Sequence, residues 1–373
     1  MRNLVIFGGS FDPVHNAHLE MARQAALLLN AEVVFVPAKS PRWKDPATTA
    51  EDRLAMLRLA LKESGSPNFS LDLFEYNSKA KTNYSIDTVK YFASKYKKAR
   101  LFFLIGADEV NAFHKWKDAE ELSRLATPLF IPRAGLELDD NNIEKFHMQR
   151  LPVTFNSFTS SSAIRSCRCI DVPLSVRTYI EQHKLYYVKT LSEMMSTHRL
   201  LHSISVANLA FSVAINNKVE DYQRAYIAGI LHDCAKDLPK EEARKKMKEC
   251  FPEYLSFPEW TYHEFLGSKI AAEVFGIEDP EILNAIKFHA TGRAHMGPLE
   301  KIIYASDKIE PTRGYDSSKL IKGCIKNYYL GFQKVLKENR EFLESRDYKV
   351  DNPLTQEAFD LYLRKPLLRK KER

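Results

Sequence analysis

A change of hydrophobic rhythm near residue 189 constrains this chain more than any other feature of its sequence. Up to about Tyr187, short apolar runs alternate with amphipathic stretches whose spacing suits helices. The runs Leu4–Phe7, Glu32–Val36, Ser70–Glu75, Leu101–Ile105, Pro128–Ile131 and Val153–Phe155 are predicted strands. Such alternation builds an open parallel α/β sheet, whose ligands gather at the carboxyl ends of the strands. Beyond Lys189 the strand-like runs stop and long helical patterns take over, among them "HSISVANLAFSVAI", "DYQRAYIAGILHDCAK" and "KIIYASDKI". That half is predicted all-α. At 373 residues the chain exceeds the roughly 250–300 that one core usually supports, so two domains are expected, residues 1–188 and 189–373. There is no internal repeat and no low-complexity linker, and the halves join within residues 185–195.

The first predicted strand ends at "GGSFDPVHNAH" (Gly8 to His18), ahead of the helical pattern "LEMARQAALLL". Two glycines let the backbone turn sharply and approach a ligand, and Pro13 stiffens the entry to the helix. His15 and His18 then share one face of its first turn, where free N–H groups and the positive end of the helix dipole suit an anion such as phosphate. The fourth strand ends at "GADEV" (Gly106 to Val110), a place of the same kind.

In the second half, "LHDCAKD" (Leu231 to Asp237) says little alone, but its surroundings say more. His202 lies upstream, His263 and His289 downstream, and Asp307 sits in "IIYASDKIEPTR". With His232 and Asp233, these side chains occupy apolar-flanked positions on separate helices and can converge inside a bundle, as metal ligands on facing helices do. The residues by themselves imply metal-dependent hydrolysis of a phosphate ester or anhydride and stop there.

Composition narrows the setting. With 45% hydrophobic and 28% charged residues the chain resembles an ordinary soluble protein. No apolar run approaches the ~18 residues that a membrane span needs, and the N-terminus lacks the order of a signal peptide, so a cytoplasmic location is expected. Five cysteines without a CxxC pair describe no disulfide framework, and the "CRC" at Cys167 to Cys169 reads as two ordinary thiols. The net charge is +7, of which the tail "KPLLRKKER" supplies four. Basic and aromatic residues do not interleave elsewhere, so no nucleic-acid partner is expected. An oligomer is left open.

At family level, "GGSFDPVHNAHL" resembles the signature of the HxGH nucleotidyltransferases. "VPAKSPRWK", "TNYSIDTVKYF", "FLIGADEVNAFHKW" and "FTSSSAIR" follow in the order of the bacterial nicotinate-nucleotide adenylyltransferases. The resemblance covers roughly residues 1 to 188. It implies a Rossmann-like sheet and transfer of an adenylyl group from Mg2+-ATP to nicotinate mononucleotide, a step of NAD biosynthesis. The nucleophile is then already a phosphate anion, so catalysis reduces to alignment and charge neutralisation. The resemblance assigns His15 and His18 as donors to the reacting phosphate, with Gly8, Gly9, Ser10 and Phe11 forming the nucleotide loop. It sets Ser161, Ser162 and Arg165 on the ATP phosphates and Lys39, Arg42 and Lys44 on a loop over the site. Asp108 falls on the adenosine side, Trp116 stacks on the nicotinate ring, and Thr82 to Ser85 cradle its carboxylate. Ala17 stands where the family has glycine, Ser85 replaces a usual threonine and Thr159 a usual isoleucine. A lowered rate, with both histidines kept, is the expected consequence of Ala17.

The second half is similar to the HD phosphohydrolases. "LHDCAKD", "FHATGR" and "ASDKIEPTR" resemble the YqeK type, the symmetrical diadenosine tetraphosphatase, over about residues 193 to 315. This implies an HD-domain helical bundle in which His202, His232, Asp233 and Asp307 hold one metal and His263 and His289 a second. Lys236, Arg293 and Arg313 would hold a dinucleoside polyphosphate, with ADP as product. Mixed imidazole and carboxylate sets with open positions favour two first-row ions, iron foremost, over a closed structural zinc. The chain is thus expected to be a bifunctional enzyme. Two alternatives stay open for the HD half: another nucleotide as substrate, or a nucleotide-sensing module that regulates without turnover.

Overall fold

The computed structural model describes residues 2–41, 45–79, 82, 84–132, 135–153, 159–346, 350 and 352–363. The chain forms two compact units, Met1–Arg165 with Asp171–Tyr186, and Ser166–Ile170 with Tyr187–Arg373.

The first unit is built on β1 (Arg2–Gly9), β2 (Ala31–Pro37), β3 (Phe69–Leu71), β4 (Ala99–Ile105), β5 (Thr127–Phe130) and β6 (Gln149–Arg150). All pairings are parallel, in the order β3-β2-β1-β4-β5-β6. β1 lies between β2 and β4, with Val5 opposite Val33 and Phe102. Leu4, Val5 and Ile6 are wholly buried, because both faces of a parallel sheet are covered. The covering helices are α1 (Asn16–Leu29), α2 (Ala50–Ser64), α3 (Ser85–Lys95), α4 (Ala107–Val110), α5 (Ala119–Leu125), α6 (Asp140–Lys145), α7 (Ser161–Arg165) and α8 (Leu174–Gln182). The chain leaves β1 toward one edge and resumes at β4 toward the other, which opens a crevice outside the carboxyl ends of these two strands.

One predicted strand is corrected. β3 ends at Leu71 instead of Glu75, because Asp72 accepts the N–H of Phe74 at 2.9 Å and turns the chain. Among the described residues the last strand is Gln149–Arg150, a segment not expected from the sequence. The Val153 N–H folds back onto the Leu151 carbonyl at 2.8 Å and ends the extended run. Thr154 and Phe155 lie outside the described residues.

The second unit is helical: α9 (Tyr187–Met194), α10 (Thr197–Asn216), α11 (Gln223–Leu231), α12 (Lys240–Cys250), α13 (Tyr262–Phe275), α14 (Pro280–Lys287), α15 (Pro298–Ile309), α16 (Ser318–Lys326), α17 (Tyr328–Ser345) and α18 (Pro353–Leu363). Sequence sets the ends of these helices. Ser196 caps α10, Asp279 caps α14 ahead of Pro280, and Gly276 closes α13 at φ +68°. α10 and α11 touch backbone to backbone at Gly229, where a Cβ would lie 2.7 Å from Ala207 Cα. Among the described residues no helix is long and apolar enough to cross a membrane.

Candidate active sites

At the β1–β4 crevice of the first unit lies a cavity of about 210 Å3. Gly8, Gly9, Ser10, Glu75, Ser85, Gly106 and Trp116 are among its lining residues. A Cβ at Gly106 would sit 2.5 Å from Asp108 Oδ1, so any larger residue there would displace the Asp108 carboxylate. Asp108 is exposed and stands beside Gly106 but outside the cavity lining. Trp116 packs edge-on to Phe103 with ring centres 6.0 Å apart, so its ring is held from behind. Glu75 is buried and accepts the Thr88 hydroxyl at 2.5 Å; burial pushes its carboxyl up, and Thr88 only partly offsets this.

Beside the cavity, the loop after β1 is held from three directions. Arg53 of α2 is 1% exposed, and its guanidinium donates to the carbonyls of Ser10 (2.8 Å), Ala38 (2.7 Å) and Lys39 (2.9 Å). Asp12 accepts from the Ala47 N–H and from the hydroxyls of Thr48 and Tyr186 at 2.7–2.9 Å. From α7, Arg165 donates to the Asp12 carbonyl at 2.8 Å and Ser161 to the Pro13 carbonyl at 3.0 Å. The loop thereby brings α7 against the start of α1. Ser162 is exposed at the same end.

His15 is the N-cap of α1, and its N–H donates to His18 Nδ1 at 3.2 Å. The two imidazoles stack with centres 3.6 Å apart, and the buried Phe11 ring meets His18 edge-on. An Nδ1 that accepts leaves the His18 proton on Nε2, a neutral donor at the helix start. Lys39 and Thr82 stand outside the cavity lining, the former exposed; Arg42 and Lys44 lie outside the described residues. Ala17 is buried on α1, and Thr159 donates to Asp171 at 2.7 Å.

In the second unit, α10, the ends of α11 and α14, α13 and α15 converge on six side chains. His202, His232 and Asp233 form one group whose ligand atoms lie within 4.8 Å of one another, and Asp233, His263 and His289 form another. Asp233 faces both ways. Its Oδ1 is 3.3 Å from His263 Nε2 and 3.4 Å from His289 Nε2, while its Oδ2 is 3.6 Å from His232 Nε2. Asp307 Oδ1 lies 3.2 Å from His202 Nε2 and 3.6 Å from His232 Nε2. Each imidazole is oriented through its other nitrogen: Nδ1 of His232, His263 and His289 bonds the carbonyl of Gly229, Trp260 or Ile286, and that of His202 bonds Glu310 at 3.0 Å. A carbonyl accepts only, so the Nδ1 nitrogens facing carbonyls carry protons and all four Nε2 atoms turn inward.

Charge completes the fit to cations. Burial would push the Asp233 carboxyl up, but His232, His263 and His289 outweigh it and hold it well below the usual carboxylate range. Asp307 is low for similar reasons, with Lys308, His202, His232 and Arg313 overcoming its burial. Burial takes His289 down to about 3 and also lowers His263, so both are neutral imidazoles at neutral pH, each with an unprotonated Nε2 facing the centre. His232 Nε2 is fully buried, 3.6 Å from both Asp233 Oδ2 and Asp307 Oδ1 and without a closer hydrogen-bond partner among the described residues, where a cation would satisfy it. A donor set of imidazole nitrogens and carboxylates suits one or two divalent first-row ions.

The expected phosphate-binding cations behave differently from one another. Lys236 Nζ reaches His263 Nε2 at 2.9 Å, at the centre. Arg313 bonds the Asp307 carboxylate and its carbonyl. Arg293 is instead engaged by Glu300 through two bonds of 2.7 and 3.1 Å and lies over the Phe288 ring. A cation that sequence reading missed, Arg199, reaches Asp233 Oδ2 at 2.7 Å, and Glu310 was missed likewise. Their spacing could have found both: Arg199 is three residues before His202 on α10, and Glu310 three after Asp307.

Comparison with known proteins follows the same division. Residues 6–167 match the cytidylyltransferase-like family model and residues 199–312 the HD domain. A protein of Mycoplasma genitalium named as a probable nicotinate-nucleotide adenylyltransferase/Ap4A hydrolase is 33% identical over 88% of this chain and 96% of its own length. A protein of Mycoplasma pneumoniae with the same name is 33% identical over 89% and 98%. Among solved structures, a predicted HD superfamily hydrolase involved in NAD metabolism from Clostridium acetobutylicum aligns at 31% identity and a TM-score of 0.43, over 48% of this chain and 96% of that one.

Proposed function

The chain belongs to the family in which a nicotinate-nucleotide adenylyltransferase and an HD-domain Ap4A hydrolase share one polypeptide, and on that premise we propose that it carries both activities. Residues 1–188 transfer the adenylyl group of Mg2+-ATP to nicotinate mononucleotide, giving deamido-NAD and pyrophosphate. Residues 189–373 hydrolyse diadenosine tetraphosphate with one water to two ADP. Both act on soluble nucleotides, which assigns the work to the cytoplasm.

In the transfer, a phosphate oxygen of the mononucleotide attacks the α-phosphorus of ATP as the bond to the β-phosphate breaks. The cavity beside Trp116 and Ser85 suits the pyridine ring. His18 donates from Nε2 to an oxygen of the reacting phosphoryl group, where charge develops, and the stacked His15 fixes its plane. Arg165 and Ser161, anchored to the same loop, are positioned for the departing pyrophosphate.

The inward turn of four imidazole Nε2 atoms onto a two-faced Asp233 carries the hydrolase reading. His202, His232, Asp233 and Asp307 would hold one ion, and Asp233, His263 and His289 a second, iron being the best match to this mixed set. Such ions supply charge neutralisation and a more acidic water for attack on phosphorus. Lys236, Arg313 and Arg199 stand where they can take up the phosphate chain.

The test is anaerobic purification with metal analysis and chromatography of the products from diadenosine tetraphosphate, for wild type and for His232→Ala combined with Asp233→Ala. About two metals per chain and ADP as sole product, both lost in the variant, are expected. Metal without product would point to another nucleotide as substrate or to a nucleotide-sensing module without turnover.

A further inference from the structure

The turn that carries His289 is gripped by an acidic and a basic side chain that are not themselves ligand candidates. Glu264, next to His263 on α13, is fully buried, and its Oε2 accepts the N–H groups of Ala290 (2.9 Å) and Thr291 (3.1 Å). Lys308, next to Asp307 on α15, is 17% exposed, and its ammonium donates to the carbonyls of His289 (3.2 Å) and Ala290 (3.4 Å) and to Asp307 Oδ2 (3.5 Å). Thr355 of α18 donates to the Thr291 carbonyl at 3.0 Å. Both the N–H and the carbonyl side of the turn are therefore held by side chains, and it cannot rotate without breaking several buried hydrogen bonds together.

We propose that Glu264 and Lys308 act as a clamp that sets the spacing of His263 and His289 and ties that half of the site to Asp307 in the other. The proposal rests on reading the six converging side chains as a two-metal site. Glu264 is adjacent in sequence to one ligand candidate and bonded to the turn behind another, so its carboxyl length fixes one against the other. Lys308 does the same between Asp307 and His289. Neither needs to touch a substrate; both are positioning residues. The grip of Glu264 does not depend on its charge, since the carbonyl oxygen of a neutral acid accepts N–H groups as a carboxylate does.

The experiment is metal analysis with competitive chelator titration on the full chain. Wild type should hold two metals. Glu264→Ala should keep one and release the other at chelator strengths corresponding to about 10–100-fold weaker binding, the usual effect of losing a group that orients a ligand. Glu264→Asp, one methylene too short to reach the turn, should behave the same and serves if the alanine variant does not fold. Glu264→Gln, which keeps an acceptor oxygen, should retain both metals. Lys308→Met should weaken both, since the ammonium touches Asp307 as well as the turn. Unchanged titration in the alanine and aspartate variants, or equal weakening of both metals, would overturn the selective grip, and unchanged binding in Lys308→Met would overturn the tie between halves. A wild type without metal would sink the two-metal reading and the clamp together, whereas two metals in wild type and in every variant would sink the clamp alone.

Discussion

His18 does two jobs with two nitrogens, and they can be separated. Nδ1 accepts the His15 N–H and so caps α1, which leaves the ring proton on Nε2 as a donor. Asn can imitate the first nitrogen and Gln the second. His18→Asn should therefore fold normally but lose about 100–1,000-fold in kcat for adenylyl transfer with KM little changed, and His18→Gln should retain more. Equal rates in the two would remove Nε2 from the transition state. Glu75 makes a stability prediction. Its folded carboxyl titrates above its ordinary value of 4.5 because it is buried. The folded state thus keeps a proton that the unfolded chain has released. That contribution is full below pH 4.5 and is lost as pH rises through the folded value. Glu75→Gln, neutral throughout, should gain on wild type in melting temperature as pH rises from 4.5 toward neutrality; a difference that does not vary with pH would refute the assignment.

Among the elements, α10 and α11 matter most, because they carry His202 and His232 and meet at a glycine. Gly229→Ala would put a methyl group 2.7 Å from the Ala207 backbone. Main chain yields less easily than a side chain, so a loss of about 1–3 kcal/mol is expected, with a lower melting temperature and weaker metal binding. Denaturant titration with and without chelator measures both, and a variant as stable as wild type would show that the helices can part at no cost. The strands and motif glycines of the sheet were legible in sequence because their signals are local: an apolar run, then a turn. β3 was expected to run too far because a turn at Asp72 overrode the pattern, and β6 was missed because two residues are too short a run to stand out. Arg53 was invisible for another reason. In "EDRLAM" it reads as a charged residue on an exposed helix face, and only the fold shows three backbone carbonyls meeting its guanidinium. The six ligand candidates could be read because His and Asp at apolar-flanked positions are costly unless used. Arg293 could not be, since its partner Glu300 is a side-chain choice made on folding.

For the whole molecule, the two units predict separable responses. Cations that bind only the folded second unit stabilise that unit by mass action. Calorimetry should show a chelator lowering the transition of the second unit alone, and His232→Ala with Asp233→Ala should leave adenylyl transfer within about twofold of wild type. A common shift of every transition would mean that the units melt as one. The unit boundary is not a single point in the chain, for Ser166–Ile170 belong with the helices, and the Ile170 N–H bonds Gln223 of α11 at 3.2 Å. The central position of β1 has a further consequence, in time. Arg2 pairs with Ala99, so one edge of the middle strand stays open while the ribosome adds the intervening chain. At translation rates of about 5–20 residues per second, that wait lasts roughly 5–20 s. An apolar strand with an unpaired edge invites association with other nascent chains for that long. The sheet that builds the nucleotide crevice is therefore the part of this protein expected to need a chaperone during synthesis.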